Sequence, residues 1–414
     1  MQVAVIGGGV VGVSTAYFLV AAGHEVVVLE RGSNVADEGS FAHSGLVAPA
    51  FATPWAMPGM PKYVLSKLFG GPTPLLLRHR FDPALWRWAK RWISECELTR
   101  FQTNRSRLQR IGSYSRALLE QLRQHYHLDY EQSVGHLQLF RSERELNLAR
   151  PGLALLADSD LPHQLLEGDA ARQIEPALST ATPLLRALHL PQDEAGNCAL
   201  FTKQLKTITQ QMGVNYLFNA TVDRVERTGS QITVHCEAEP FVADAVILAA
   251  GKDNIPLLDA MGARFPTLSV QGYSATCTIR DFDEAPLASL SDDTFKTTMT
   301  RFGNRIRLAG VAEPLARRAE VPEAARRTLH RVGMDWFPNA TNYNNATLWS
   351  SVQAMVPDGV PLLGATPLRN VFVGMDDGAN GWTCAIGIGK ILSDMLSDQH
   401  PDIDIDGLTL SRYG

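Results

Sequence analysis

"VIGGGVVG", Val5 to Gly12, stands almost at the start of the 414-residue chain, and the reading of the whole fold turns on it. An apolar run, Val3 to Ile6, precedes it, and a stretch of helical character through Ser14, Ala16, Phe18 and Leu19 follows, closing at Gly23. Gly7, Gly9 and Gly12 fit G-x-G-x-x-G at a strand-to-helix junction. The first glycine permits the tight turn, the second removes a side chain where a pyrophosphate approaches, and the third lets helix pack on strand. The helix then directs its N-terminal amides and positive dipole end at the phosphates. "EVVVLER" supplies a second strand ending in Glu30, about 20 residues beyond the glycines, where a carboxylate accepts the ribose hydroxyls. A lone glycine fingerprint is weak; with strand, helix, second strand and terminal acid in place it reads as a dinucleotide site. Glu30 disfavours NADP, whose ribose phosphate it repels.

Composition agrees with a soluble enzyme of two or three packed units: 45% hydrophobic, 20% charged, net charge −5, with no long run of one sign. That balance excludes a nucleic-acid-binding surface. Cys96, Cys198, Cys236, Cys277 and Cys384 have no CxxC spacing and read as reduced thiols, not as a disulfide framework or metal site. "HYH", His125 to His127, reads as a solvated helix end. No secretory leader precedes Val3 and no apolar run spans a bilayer, so a cytoplasmic location is expected, with peripheral attachment at the inner membrane left open.

Further along, "ATPWAMPGMPKYVLSKLFGGPTPLLL" reads as an irregular cover, because its prolines interrupt regular elements. Helical spacing runs from Pro83 to Tyr130, with Trp86, Trp88 and Trp92 taken as core. "GHLQLFRS" is a strand and "ELNLARPGLALLADS" a helix. "PQDEAGNCALFTKQLKTITQQMG" begins as a loop and becomes a helix stopped by Gly213. The stretch from Val214 to Gly251 reads as four strands, the last, "ADAVILAAG", buried and parallel. "LSVQGYSATCTI" and "TFKTTMTRFGNRIRLAGVAE" look antiparallel, the second a hairpin turning at Gly303-Asn304. "RNVFVGMDDGANGWTCAIGIGKILSDMLSD" is strand, glycine-rich loop and helix. Nucleotide-type segments therefore lie at both ends of the chain. The expected class is α/β, a discontinuous Rossmann-like domain with an inserted, mostly antiparallel sheet and helices. Its expected boundaries are 1–50, 151–262 and 351–414 for the nucleotide domain, and 51–150 and 263–350 for the substrate domain.

An extended FAD gripped by two distant segments explains this layout better than NAD, whose domain is normally contiguous. Taken together, the fingerprint, "APAFATPWAMPG", "HLQLFR", "LPQDEAGNCALFT", "VQGYSAT", "TRFGNRIRLAG", "MVPDGVPLLG" and "GANGWT…GKILSDMLS" make the chain resemble the FAD-dependent D-amino-acid dehydrogenase (small subunit) family, related to glycine and sarcosine oxidases. The resemblance covers essentially the whole sequence. It implies non-covalent FAD held by Gly7, Gly9, Gly12, Glu30 and Arg31. "SFAHSGL", with Ser40, Ser44, Gly45 and Leu46, would run beside flavin and pyrophosphate, and Val222 and Gly251 would line the adenosine end. Gly378, Ala379, Asn380, Gly381, Trp382 and Thr383 would bring amides to the flavin's pyrimidine edge. A helix N-terminus there favours negative charge, so Asp376 and Asp377 read as turn formers.

The implied reaction is hydride transfer from Cα of a D-amino acid to flavin N5, giving an imine, with positioning as the main catalytic device. Many relatives bind the substrate carboxylate through an arginine in Arg-Pro before "PDG"; here Gln353 and Ala354 stand there, and Phe51 replaces a frequent tyrosine. The candidates for the substrate site are Gln353, Tyr273, His43 and an arginine of the hairpin, Arg301, which projects opposite to Arg305 and Arg307. Packed or solvated roles are the alternatives for each. Loss of the arginine points to a small or cyclic substrate such as D-proline or a D-hydroxyproline. The electron acceptor is a quinone, a respiratory chain or another carrier. Rival readings are an oxygen-using amine oxidase, the FAD subunit of a hetero-oligomeric dehydrogenase and a plain NAD dehydrogenase. Homo-oligomers remain open.

Overall fold

The structure, a computed structural model, describes residues 1–66, 73–79, 81–237, 239–316, 320–376 and 378–413. A six-stranded sheet runs in the order Leu362–Ala365, Val371–Met375, Ala245–Leu248, Gln2–Ile6, Glu25–Leu29, Asn215–Leu217. All neighbours are parallel except Leu362–Ala365 with Val371–Met375. The central strands are continuous runs of Val, Ile, Leu and Ala because both their faces are covered. On one face pack helices Val10–Ala21, Cys198–Gln211, Gly381–Leu396 and the long Leu98–Tyr126, meeting at Leu19, Leu108, Phe201, Trp382 and Ile388. On the other lie a three-stranded sheet (Val222–Thr228, Gln231–Cys236, Phe241–Ala243) and helix Asn254–Ala260. The residues 214–251 thus form five strands, not four, because the chain breaks at Asp244 between Phe241–Ala243 and Ala245–Leu248.

A nine-stranded sheet makes the second body. Along its path lie Thr347–Met355, Leu268–Thr278, Arg305–Pro314, Thr297–Phe302, Ser289–Asp292, Ser133–Phe140, Arg186–Ala195 and Leu46–Val47, with Gln164–Glu167 also on Arg186–Ala195. One pair, Ser289–Asp292 with Ser133–Phe140, is parallel. Helix Glu323–Trp336 lays Leu329, Val332 and Trp336 on this sheet. The hairpin turns at Gly303-Asn304, pairing Phe302 with Arg305 and Arg301 with Ile306. Opposite Tyr273 the register slips by one residue, and Val311 takes φ +56° at that bulge.

Three expectations change. "PQDEA" is the end of strand Arg186–Ala195, held by Ser133–Phe140, so residues 164–195 belong with the large sheet and not with the nucleotide segments. Strand Thr347–Met355 likewise runs past the boundary expected at 350. Within the cover, Pro61 fits the first turn of a short helix, Met60–Ser66; residues 67–72 lie outside the described ones. All five cysteines are free, and no group of metal-ligating side chains occurs among the described residues. No helix among them is long and apolar enough to cross a membrane.

Candidate active site

The strand Gln2–Ile6 ends on Gly7, whose φ is +109° and where a Cβ would lie 2.5 Å from the Ala249 carbonyl oxygen. A Cβ on Gly12 would lie 1.9 Å from the Gly7 oxygen. Helix Val10–Ala21 starts without a side-chain cap on Gly9, leaving N-terminal amides directed at a groove; Ser40 Oγ accepts from Val10 N at 3.1 Å. Glu30 closes the next strand, its two oxygens each accepting one amide at 2.6 Å, from Gly8 and Gly32. Arg31 pairs with Glu38 and with Asp253 at 2.9 Å. The groove of about 320 Å³ is lined by Gly7, Gly9, Glu30, Arg31 and Ser40 at one end, by Val222 and Gly251 beside them, and by Gly381 and Trp382 at the other. The Trp382 Nε1 is buried with no acceptor. A long polar ligand with phosphates fits this donor set: open amides, an orphaned indole N–H and a carboxylate for hydroxyls.

A second, larger and mostly apolar cavity of about 780 Å³ lies beneath the cover. Ser44, Leu46, Tyr273, Gly378, Ala379, Asn380 and Thr383 line it. His43, Gln353 and Gly39 border both spaces and mark where they join. Gln353 Oε1 comes within 3.4 Å of the place a Cβ would take on Gly378. Asp376 Oδ1 accepts from Gly378 N at 2.8 Å, which fixes that loop as a side-chain turn; burial pushes its carboxyl pKa up. Asp377 lies outside the described residues. Thr383 Oγ1 bridges to the opposite segment, accepting from Ala48 N at 3.2 Å and donating to Leu46 O at 3.3 Å.

The histidine at the junction is neutral. Burial, then the Arg307 charge, push His43 down to about 4. Its Nδ1 accepts from Gly45 N at 3.1 Å, leaving the proton on Nε2. Arg307 supports the loop from behind, donating to His43 O at 3.0 Å and to Thr276 Oγ1 at 3.1 Å, while Thr300 Oγ1 donates to Ser44 O at 2.7 Å. Tyr273 is buried and its hydroxyl donates to Glu313 Oε2 at 2.6 Å.

Some expected residues stand elsewhere. Arg301 does not line either cavity: its guanidinium donates to Gly303 O and Pro286 O and stacks on the Phe282 ring at 5.2 Å, on the other side of the sheet from Arg307. Strand alternation sends it outward, and the inward hairpin arginine is Arg307. Gly12 and Gly45 act behind the walls, Gly45 against the Phe302 ring. The tryptophans are not one core: Trp86 is 61% exposed and Trp92 9%, and with Trp88 they line the cavity, because the apolar arc of helix Pro83–Glu95 is wider than the surface beneath it. Missed from the sequence were Asp193, which accepts from Ala50 N and Phe51 N at 3.1 and 2.8 Å, and Arg105, which donates to Ala50 O at 3.0 Å. The available signal was Arg105 falling on the buried stripe of its helix, with Phe101, Leu108 and Ile111.

A family model described as FAD dependent oxidoreductase matches residues 2–395. Among similar proteins, one from Bradyrhizobium diazoefficiens, named D-amino acid dehydrogenase, is 37% identical over all of this chain and 99% of its own length. One of the same name from Vibrio vulnificus is 37% identical, with both chains fully covered. Of solved structures, glycine oxidase from Geobacillus kaustophilus superposes with TM-score 0.77 at 19% identity, covering 100% of this chain and 99% of its own. L-proline dehydrogenase from P. horikoshii does so with TM-score 0.76 at 14% identity, covering 100% and 97%. At those identities the likeness is one of fold.

Proposed function

The chain belongs to the family of FAD-dependent oxidoreductases, and from that premise we propose that it dehydrogenates a small, cyclic D-amino acid, D-proline or a D-hydroxyproline, to its imine. The D-amino acid part takes up the name of the relatives at 37% identity. The ring part rests on one observation: an uncharged amide, Gln353, stands where the two cavities join, beside Gly378. An amide both donates and accepts, so it suits a ring hydroxyl or one carboxylate oxygen, without the strong pull of a guanidinium.

In this reading Gly7, Gly9, Glu30, Arg31, Ser40, Val222, Gly251, Gly381 and Trp382 hold the dinucleotide, and the Gly378–Thr383 loop holds the flavin end. Bound FAD supplies the hydride acceptor. Neutral His43 adds no positive charge that would oppose binding of a substrate about to become an iminium, and its Nε2–H remains a donor. Tyr273 donates a hydrogen bond to Glu313 Oε2, which turns a lone pair of its hydroxyl oxygen to the substrate amine. The substrate's ammonium gives its proton to solvent water before the neutral amine enters, and the remaining work is orientation. A cyclic imine then departs, or opens in water to the keto acid.

Electrons pass to a quinone-type acceptor in this reading. The larger cavity exceeds the need of a five-membered ring, and its mouth shows Leu65, Phe81, Trp86 and Ile93 among exposed Arg87, Lys90 and Arg91, which suits delivery from an anionic membrane surface.

Anaerobic mixing of the holoenzyme with a panel of D-amino acids tests the substrate. D-Proline and D-hydroxyproline are expected to bleach the flavin at least tenfold faster than D-alanine or D-arginine. Faster bleaching by the two acyclic acids overturns the ring assignment.

A further inference from the structure

A carboxylate drawn into an apolar cavity needs a counter-charge, and Gln353 carries none. Among the described residues lining the larger cavity, the formal charges are those of Asp292, Asp293, Lys296 and Arg105. Asp292 is taken by Arg141 and by the Trp336 indole, and Lys296 by Asp293 at 2.8 Å. Arg105 differs from them. The residue is 5% exposed, its guanidinium makes one hydrogen bond, from Nη2 to the Ala50 carbonyl, and its Nε has no acceptor.

The surroundings keep that cation in place without neutralising it. The acid facing it is Asp193, both of whose oxygens already accept amides of the Ala50-Phe51 segment. Burial pushes Asp193 up to about 7, so near neutral pH it balances Arg105 only in part. Burial pushes Arg105 down to about 10, which leaves it protonated. Across from it, helix Glu143–Ala157 presents Gly152, where a Cβ would lie 2.9 Å from Arg105 Nη1. Any side chain there would push the guanidinium aside. The hydrogen bond to Ala50 also ties it to the segment carrying Phe51, itself a wall of the cavity.

We propose that Arg105 binds the carboxylate of the amino-acid substrate, performing from helix Leu98–Tyr126 the task that many relatives give to an arginine at the position of Gln353. The proposal rests on the reading of the substrate as an amino acid and is independent of the ring. A planar fork with free N–H groups in a low-dielectric wall is suited to a carboxylate and poorly suited to a neutral partner.

The experiment uses the full-length holoenzyme with Arg105→Met and Arg105→Lys. The apparent Kd for D-proline is taken from the concentration dependence of anaerobic flavin bleaching, and the inhibition constant of D-prolinamide from competition. R105M is expected to weaken the acid about 10- to 100-fold and the amide less than twofold. R105K, which keeps the charge and loses the fork, should fall between. Were Arg105 only a fastener of the Ala50 segment, acid and amide would weaken together and FAD content would fall. That result overturns the proposal, as does an unchanged Kd for the acid in either variant. If R105M does not retain FAD, R105K against wild type decides by the same comparison. Should D-alanine alone bleach the wild type, the ring assignment fails, and D-alanine with D-alaninamide tests Arg105 in the same way. A wild type bleached by no D-amino acid removes the functional reading and this proposal with it.

Discussion

Asp193 is 1% exposed, and burial lifts its pKa from the usual carboxylate range to about 7. The folded chain therefore binds this proton more tightly than the unfolded chain does. Stability that Asp193 contributes at low pH is lost as pH rises from about 4 to about 7, by something on the order of 4 kcal/mol. Asp193→Asn has no such titration. Urea midpoints measured from pH 4.5 to 7.5 are expected to show the variant well below wild type at the acid end and closing the gap toward neutrality. A gap that is constant or widens with pH contradicts the buried, protonated carboxyl. Asp193 escaped the sequence because nothing local marks its charge as buried, and Arg105 carried one local sign only, its place on the apolar stripe with Phe101, Leu108 and Ile111. The burial is made by Ala50 and Phe51, far away in the chain. The tight turn at Gly7 and Gly12 was legible because its close approaches are local and leave no room for a side chain. Arg301 faces away from the site and Arg307 toward the His43 loop, which the sequence could not tell, because alternation along a strand says that they face opposite ways, but not which way is inward.

At the scale of elements, helix Val10–Ala21 can approach strand Gln2–Ile6 only through Gly12, given the 1.9 Å clearance to the Gly7 oxygen. Gly12→Ala is expected to displace the first helical turn and its amides. The purified variant should lack flavin absorbance, while circular dichroism retains most of the strand signal of the separate nine-stranded sheet. A yellow G12A protein with wild-type affinity for FAD would show that the turn tolerates the methyl group. Regular elements with apolar periodicity were readable: the two parallel strands, the hairpin at Gly303-Asn304 and the last helix. Strand Arg186–Ala195 was not, since "PQDEAGN" has turn composition and is extended only because Ser133–Phe140 pairs with it. Nor does composition announce the bulge at Val311. A β-branched residue at positive φ costs roughly 1–3 kcal/mol, and it is held there by the pairing of Leu268–Thr278 with Arg305–Pro314 on both sides.

Over the whole molecule, the groove proposed to hold FAD is lined from residues 6–40, 198, 220–257, 352–354 and 374–382, so one ligand there would touch segments far apart in the chain. FAD that binds only the folded chain stabilises it by mass action, about 2.7 kcal/mol at a hundredfold excess over Kd. Differential scanning calorimetry of deflavinated protein should show Tm rising with the logarithm of added FAD. A Tm indifferent to FAD contradicts the assignment of this groove. The discontinuity itself was legible from glycine-rich segments near both ends. The exact partition was not, because residues 164–195 join the other sheet through pairings that leave no trace in composition. Strand order has a last consequence, for biosynthesis. Ala245–Leu248 lies between Gln2–Ile6 and Val371–Met375. A nascent chain leaving the ribosome therefore carries its opening strand with a bare, apolar edge until more than half the protein has been translated. Such an edge is a target for wrong partners, and the interval before closure is when a chaperone would matter most to this polypeptide.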